Sequence, residues 1–100
     1  MEFFVRAYDG TDEGAVARRD AARPEHRVVA DKLSANGTYL YTAAIVDASG
    51  RITGSILVCD FPSRKELDAW LAVEPFVTRN VWQKVEVELC KPGLAFGKNK

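Results

Sequence analysis

One hundred residues, 47% of them hydrophobic and 28% charged, can bury one core and are too few for two, since single domains commonly run to about 100–150 residues. Fourteen Lys plus Arg balance fourteen Asp plus Glu. That balance excludes the electrostatic footprint of a nucleic-acid or anionic-lipid binder, and no apolar run approaches the roughly 20 residues of a membrane-spanning helix.

In chain order, Phe3, Val5 and Ala7 alternate with Phe4, Arg6 and Tyr8, the period of a first strand that Asp9-Gly10 ends. Thr11 to Arg23 mixes Gly14, alanines and charges and reads as a polar loop with at most a short helical turn. Pro24 then opens a helix, because its fixed φ suits a first helical turn. Ala22, His26, Val29, Ala30 and Leu33 share one face of it, and Asn36-Gly37 ends it. From Thr38 to Val46 the period returns to two, with Tyr39, Tyr41, Ala43 and Ile45 on one face. Asp47-Ala48-Ser49-Gly50 is a turn, and the run Ile52 to Phe61 completes an antiparallel hairpin.

Pro62 closes that strand, and Ser63 with Glu66 forms a capping box for a short helix that presents Leu67, Trp70 and Leu71. Glu74-Pro75-Phe76 breaks it, a turn runs through Asn80, and Val81 to Cys90 is a last strand. The order β-α-β-β-α-β predicts a ferredoxin-like α+β fold: a four-stranded antiparallel sheet with both helices on one face. The expected organisation is a single domain over 1–100, with a Pro/Gly/Lys tail at 91–100. The uncovered sheet face, on which Tyr8, Tyr39, Tyr41 and Trp82 are expected to gather, predicts a homodimer packed through that face. With no leader-like start and two distant cysteines, Cys59 and Cys90, the protein is expected to be soluble and cytoplasmic.

His26 is the single histidine, and histidine is the side chain that titrates nearest neutrality. On the apolar stripe of its helix it is either a core residue with satisfied hydrogen bonds or a general acid–base facing a cleft. Arg19 and Arg23 are either solvated loop residues or the clamp for an anionic substrate, by bidentate contact. Asp9 either caps the turn after the first strand or reaches a pocket. Ser55 lacks a G-x-S-x-G elbow and reads as a pocket-lining hydroxyl that hydrogen-bonds substrate or backbone. One histidine, two separated cysteines and scattered carboxylates give no metal site, and the absence of a Gly-rich strand-to-helix loop predicts no nucleotide cofactor.

Arg23-Pro24-Glu25-His26, Thr53-Gly54-Ser55 at the start of a strand and Glu74-Pro75-Phe76-Val77 before the last strand resemble the YciI-like (YCII-related) family over nearly the whole chain. Asp9 after the first strand and Arg19 before the R-P-x-H stretch add to the resemblance. It implies a dimeric α/β barrel built from ferredoxin-like chains. It also implies an active site pairing a histidine, here His26, with an acid in a D-P-[YF] turn, here Glu74 with one extra methylene. Glu74 is otherwise a solvated turn residue beside a proline. Two function classes follow. One is a cofactor-free enzyme using His26 and Glu74 for elimination, isomerisation or hydrolysis of a small anionic molecule, with Arg23, Arg19, Ser55 and Asp9 binding it. The other is a non-catalytic small-molecule-binding dimer, and a cofactor-independent oxygenase is a weaker third.

Overall fold

The computed structural model describes residues 1–93, with β1 (Glu2–Asp9), α1 (Ala15–Ala35), β2 (Tyr39–Val46), β3 (Ile52–Asp60), α2 (Arg64–Val73), α3 (Pro75–Thr78) and β4 (Trp82–Leu89) in chain order. The strands form one antiparallel sheet in the order β2-β3-β1-β4. This is the ferredoxin-like α+β arrangement that the element order predicts. Residues 94–100, most of the expected tail, lie outside the described residues. Among the described residues no helix is long and apolar enough to cross a membrane.

The alternation of β1 turns Phe3, Val5, Ala7 and Asp9 toward the helices, and antiparallel register sets the first three opposite Cys59, Leu57 and Ser55 of β3. Leu67 and Trp70 of α2, Phe76 of α3 and Ala22 of α1 close over that face. Trp70 is the hub of the aromatic part of the core, with ring centroids 5.4 Å from Phe61, 5.7 Å from Tyr39 and 6.4 Å from Trp82. Burial pushes the Cys59 thiol up to about 12, and the carboxylate of Asp60 adds to the shift, so at neutral pH it packs as an apolar side chain.

Local chemistry explains where the elements stop. At the C-terminus of α1, Gly37 takes φ +84°, while its N–H reaches the Ser34 carbonyl and that of Thr38 the Leu33 carbonyl. That pair of bonds is a Schellman ending, for which glycine suits the left-handed position. Between β2 and β3 the Asp47 carboxylate accepts from the backbone N–H of Ser49 and of Arg51 and from the Ser49 hydroxyl. Ser63 caps α2 by accepting from the Glu66 N–H at 3.2 Å. Gly54 is required for another reason: a Cβ there would lie 2.3 Å from the Ala7 carbonyl oxygen across the ladder.

Three sequence expectations are corrected. The loop expected over 11–23 is the first part of α1 from Ala15, and Pro24 lies inside the helix rather than at its start. Ala15, Arg19 and Ala22 repeat at the spacing of one face and are all buried, but the charge of Arg19 disguised that stripe. Pro24 withholds only the N–H that would reach the Asp20 carbonyl, on an exposed turn where water can replace it. The turn expected through Asn80 contains the short helix α3. The four aromatics expected together on the open face are divided. A register shift between Tyr39 and Tyr41 rotates Tyr39 into the core beneath Trp70, and a shift at Tyr8/Asp9 accompanies the burial of Trp82. Only Tyr8 and Tyr41 remain on the open face.

Restoring the missing N–H tests the account of Pro24. Pro24→Ala is expected to stabilise the fold by about 1–2 kcal/mol, after the looser unfolded chain is set against the gained hydrogen bond. The measure is a higher urea midpoint at unchanged m-value, and an unchanged or lower midpoint would show that the ring is favoured where it stands.

Candidate functional site

Glu74 ends α2 and caps α3, which places a carboxylate with no surface exposure at the junction of two helices. Its Oε2 accepts from the Phe76 N–H at 2.5 Å, and its Oε1 lies 2.8 Å from Nδ1 of His26. The extra methylene relative to the aspartate that the resemblance implies therefore does not carry the carboxylate out of reach of the histidine. A carboxylate can only accept, so opposite a carboxylate Nδ1 is the donor, and Nε2 carries the lone pair in the neutral ring. The imidazole is also fixed in its plane. It stacks on Phe76 with centroids 3.9 Å apart and planes 8° from parallel, and it meets the edge of Trp82 at 5.9 Å.

Two turns earlier on the same face of α1, Arg19 is buried. Its Nη1 donates to both oxygens of Asp9 at 2.7 and 2.8 Å, and its Nη2 to the Ser55 hydroxyl at 3.0 Å. Trp82 Nε1 donates to the same hydroxyl at 3.2 Å. The guanidinium also lies over the Phe76 ring, 4.8 Å from its centroid, so one aromatic side chain carries both the histidine and the arginine. The sequence leaves Arg19 either a solvated loop residue or a clamp for an anionic substrate. The fold places it in a helix, buried, with its charge directed at Asp9. Its Nε is buried with no hydrogen-bond partner.

A cleft of about 480 Å³ opens between α1 and the β2–β3 hairpin, lined by His26, Ser55, Trp82 and Phe76 within and by Arg23 and Arg27 on α1. Its volume exists because the facing residues are small: Ala30 on the helix, Ala44 on β2, and Ser55 opposite Ala44 on β3. Arg23 is exposed and has no ion-pair or hydrogen-bonding partner among the described residues, whereas Arg27 lies 3.7 Å from Asp31. The structure thus brings His26 to Glu74 and joins Asp9, Arg19 and Ser55 in a second cluster. It leaves Arg23 as a free cation in the cleft. Among the described residues no three His, Cys, Asp or Glu side chains converge as metal ligands would.

Sequence reasoning missed two members of the site. Arg27 follows Arg23 by one helical turn, a signal that was available once the helix was recognised. Phe76 was visible only as part of a turn motif, because the contact that matters is with rings and a guanidinium from other elements.

The YCII-related domain model matches residues 1–91 of this chain. A solved 5-chloro-2-hydroxyhydroquinone dehydrochlorinase from Burkholderia phenoliruptrix, in complex with 2,5-dihydroxybenzoquinone, is similar to it with a TM-score of 0.81 and 21% identity, over 93% of this chain and 96% of that one. An antibiotic biosynthesis monooxygenase has a TM-score of 0.50 and 19% identity, over 92% and 97%. A protein from Agrobacterium tumefaciens has a TM-score of 0.51 and 19% identity, over 94% and 95%. These likenesses show a shared fold. Among proteins of curated function, none matches this chain by sequence.

The Asp9–Arg19 pair can be weighed by substitution. Arg19→Met leaves the Asp9 carboxylate buried without its partner and is expected to cost about 3–5 kcal/mol. Arg19→Met combined with Asp9→Asn should cost clearly less than the sum of the single changes. Urea unfolding of the four proteins in the cycle measures the coupling, and simple additivity would show that the pair contributes little.

Proposed function

Because this chain belongs to the YCII-related domain family, we propose that it is an acid–base enzyme, with His26 and Glu74 acting on a small anionic organic molecule held in the cleft beside α1. The observation that carries the proposal is the fully buried Glu74. One of its oxygens is committed to the Phe76 N–H and the other to His26 Nδ1, which leaves Nε2 as the free nitrogen of a histidine lining the cleft. Nε2 takes a proton from the substrate, and the imidazolium that forms is stabilised by the Glu74 carboxylate. In an elimination the electron pair released by that proton displaces a leaving group, which departs with its own bonding pair. The same imidazolium can return the proton elsewhere, which would be isomerisation.

The other polar side chains of the cleft take roles consistent with this reading. Arg23, with Arg27 beside it, attracts and holds the anionic group at the mouth of the cleft. Arg19 and Asp9 hold Ser55 in place at its inner wall. The dehydrochlorinase of the same fold supports elimination as the first reaction class to assay. A reducing, cytoplasmic setting belongs to the proposal and is supported by the two free thiols, Cys59 and Cys90.

The working unit in this proposal is a homodimer packed through the open sheet face. Within one chain the β1–β4 side of that face is polar: Arg6 donates to the Tyr8 hydroxyl at 2.8 Å, which donates to Glu86 at 2.8 Å. The β2–β3 side is apolar and uncovered, with Tyr41 opposite Val58, Ala43 opposite Ile56, Ile45 opposite Gly54 and Phe4 opposite Val58. Sedimentation at micromolar concentration is expected to show a dimer, and Val58→Asp, which places a carboxylate in the middle of that patch, a monomer. A wild-type protein that sediments as a monomer would remove this part of the proposal.

Turnover separates catalysis from binding. The assay is chloride release from 5-chloro-2-hydroxyhydroquinone, followed by proton-transfer assays on a panel of small phenols and diketones. His26→Asn is expected to lower kcat/KM by about 10²–10⁴, the usual share of one general acid or base. Glu74→Gln should act in the same direction with a smaller effect, because the amide oxygen can still accept from one N–H while the imidazolium loses its counter-charge. Panel members that saturate the cleft without any turnover by the wild type would replace the enzyme with a binding protein.

A further inference from the structure

A hydroxyl group has two lone pairs and one proton, and in Ser55 both lone pairs are occupied. Arg19 Nη2 donates to Oγ at 3.0 Å and Trp82 Nε1 donates to it at 3.2 Å. Both donors are themselves buried and held from elsewhere. Arg19 is fixed by the Asp9 carboxylate, and Trp82 is packed edge-on against Trp70 and Phe76. With Cβ and two donors around Oγ, three of the four tetrahedral directions are taken, and the fourth belongs to the O–H. Among the described residues Oγ has no acceptor for that proton, although Ser55 is only 7% exposed and lines the cleft.

We infer that Ser55 is a fixed hydrogen-bond donor to a substrate oxygen that is, or becomes, anionic, and that it is not a nucleophile. A nucleophilic serine must offer a lone pair, and here both are engaged by N–H donors, one of them cationic. The same two donors polarise the O–H, which makes it a stronger donor toward a negatively charged acceptor. The group is also preorganised, since nothing in its surroundings has to turn when charge develops on the bound oxygen. Asp9 and Arg19 become positioning residues: they orient the hydroxyl, and Asp9 keeps the buried guanidinium neutralised so that its N–H groups act as directed donors rather than as an open anion trap. The substrate class narrows accordingly, to molecules that carry a phenolate, enolate or carbonyl oxygen within reach of the atom from which His26 takes a proton.

This inference rests on the reading of the cleft as a substrate site, but its test does not require turnover. The probes are 4-nitrophenolate, at a pH above its ionisation, and its neutral isostere 4-nitrotoluene. Binding is followed by calorimetry and by the phenolate absorbance band, which moves to shorter wavelength when its oxygen accepts a strong hydrogen bond. The wild type is expected to prefer the phenolate and to shift its band. Ser55→Ala should weaken phenolate binding by about tenfold to a hundredfold, the range for one hydrogen bond to a charged group, and abolish the shift while leaving 4-nitrotoluene unchanged. Ser55→Thr should retain both properties.

Ser55→Ala leaves two buried N–H donors without an acceptor and is expected to unfold at lower temperature. Ser55→Cys, which keeps the shape with a weak S–H donor, serves as the second variant and should lose the same preference. Equal phenolate binding by the wild type and both variants overturns the inference. So does an equal loss of both probes in folded variants, or a wild type that binds neither probe at millimolar concentration. If His26→Asn keeps the Ser55-dependent band shift while no substrate is turned over by any protein, the donor stands and the enzyme reading fails. Turnover that depends on His26 but not on Ser55 gives the converse.

Discussion

The buried ion pair between Asp9 and Arg19 fixes the position of everything that surrounds the cleft. Asp9 is the last residue of β1, and Arg19 is in the second turn of α1, so the pair ties the start of the long helix to the end of a central strand. A helix anchored there must present the same face two turns later, and that face carries His26. The other guanidinium nitrogen reaches Ser55 on β3, which brings a third element into the same contact. A buried charge pair is weak evidence for stability, because desolvation offsets much of the attraction. Its use here is to specify register: the pair closes with this face of α1 laid against the end of β1.

Phe76 is the second determinant, and it acts through shape rather than charge. Its backbone N–H holds Glu74, its ring supports His26, and the guanidinium of Arg19 lies above the same ring. The short helix α3 therefore links the two polar clusters of the site, the His26–Glu74 pair and the Asp9–Arg19–Ser55 chain. Pro75 suits the first position of that helix and commits the chain to a turn immediately after Glu74. A histidine clamped at Nδ1 and on its ring plane has little freedom left to reorganise, the condition under which a proton acceptor works best.

The two faces of the sheet serve different ends. The helix face is filled by aromatic and aliphatic side chains except where Ser55 and Ala44 leave space, and that exception is the cleft. On the opposite face the strands divide into a polar side centred on Tyr8 and an apolar side centred on Val58. The register shift after Tyr39 makes this division possible. It allows one strand to send Tyr39 to the core and Tyr41 to the other face, although strict alternation would keep both on one side.

The sequence by itself determined the order of the strands and the two longer helices, the antiparallel hairpin and the C-terminal ends of those helices, and its resemblance to the YCII-related family implied the pairing of His26 with Glu74. The elements and their ends are written in local patterns: period two or 3.6, glycine where φ must be positive, and serine at a helix start. Only the tertiary structure decided that α1 begins at Ala15, that Tyr39 and Trp82 are core residues, and that Asp9, Arg19 and Ser55 meet. The physical reason is the same in each case. A charge such as that of Arg19 reads as solvent-facing until its partner, ten residues away in sequence, is brought against it, and a one-residue shift in register leaves no mark in an alternating pattern. Long-range partners set these choices, and a local pattern contains no information about which partner will arrive.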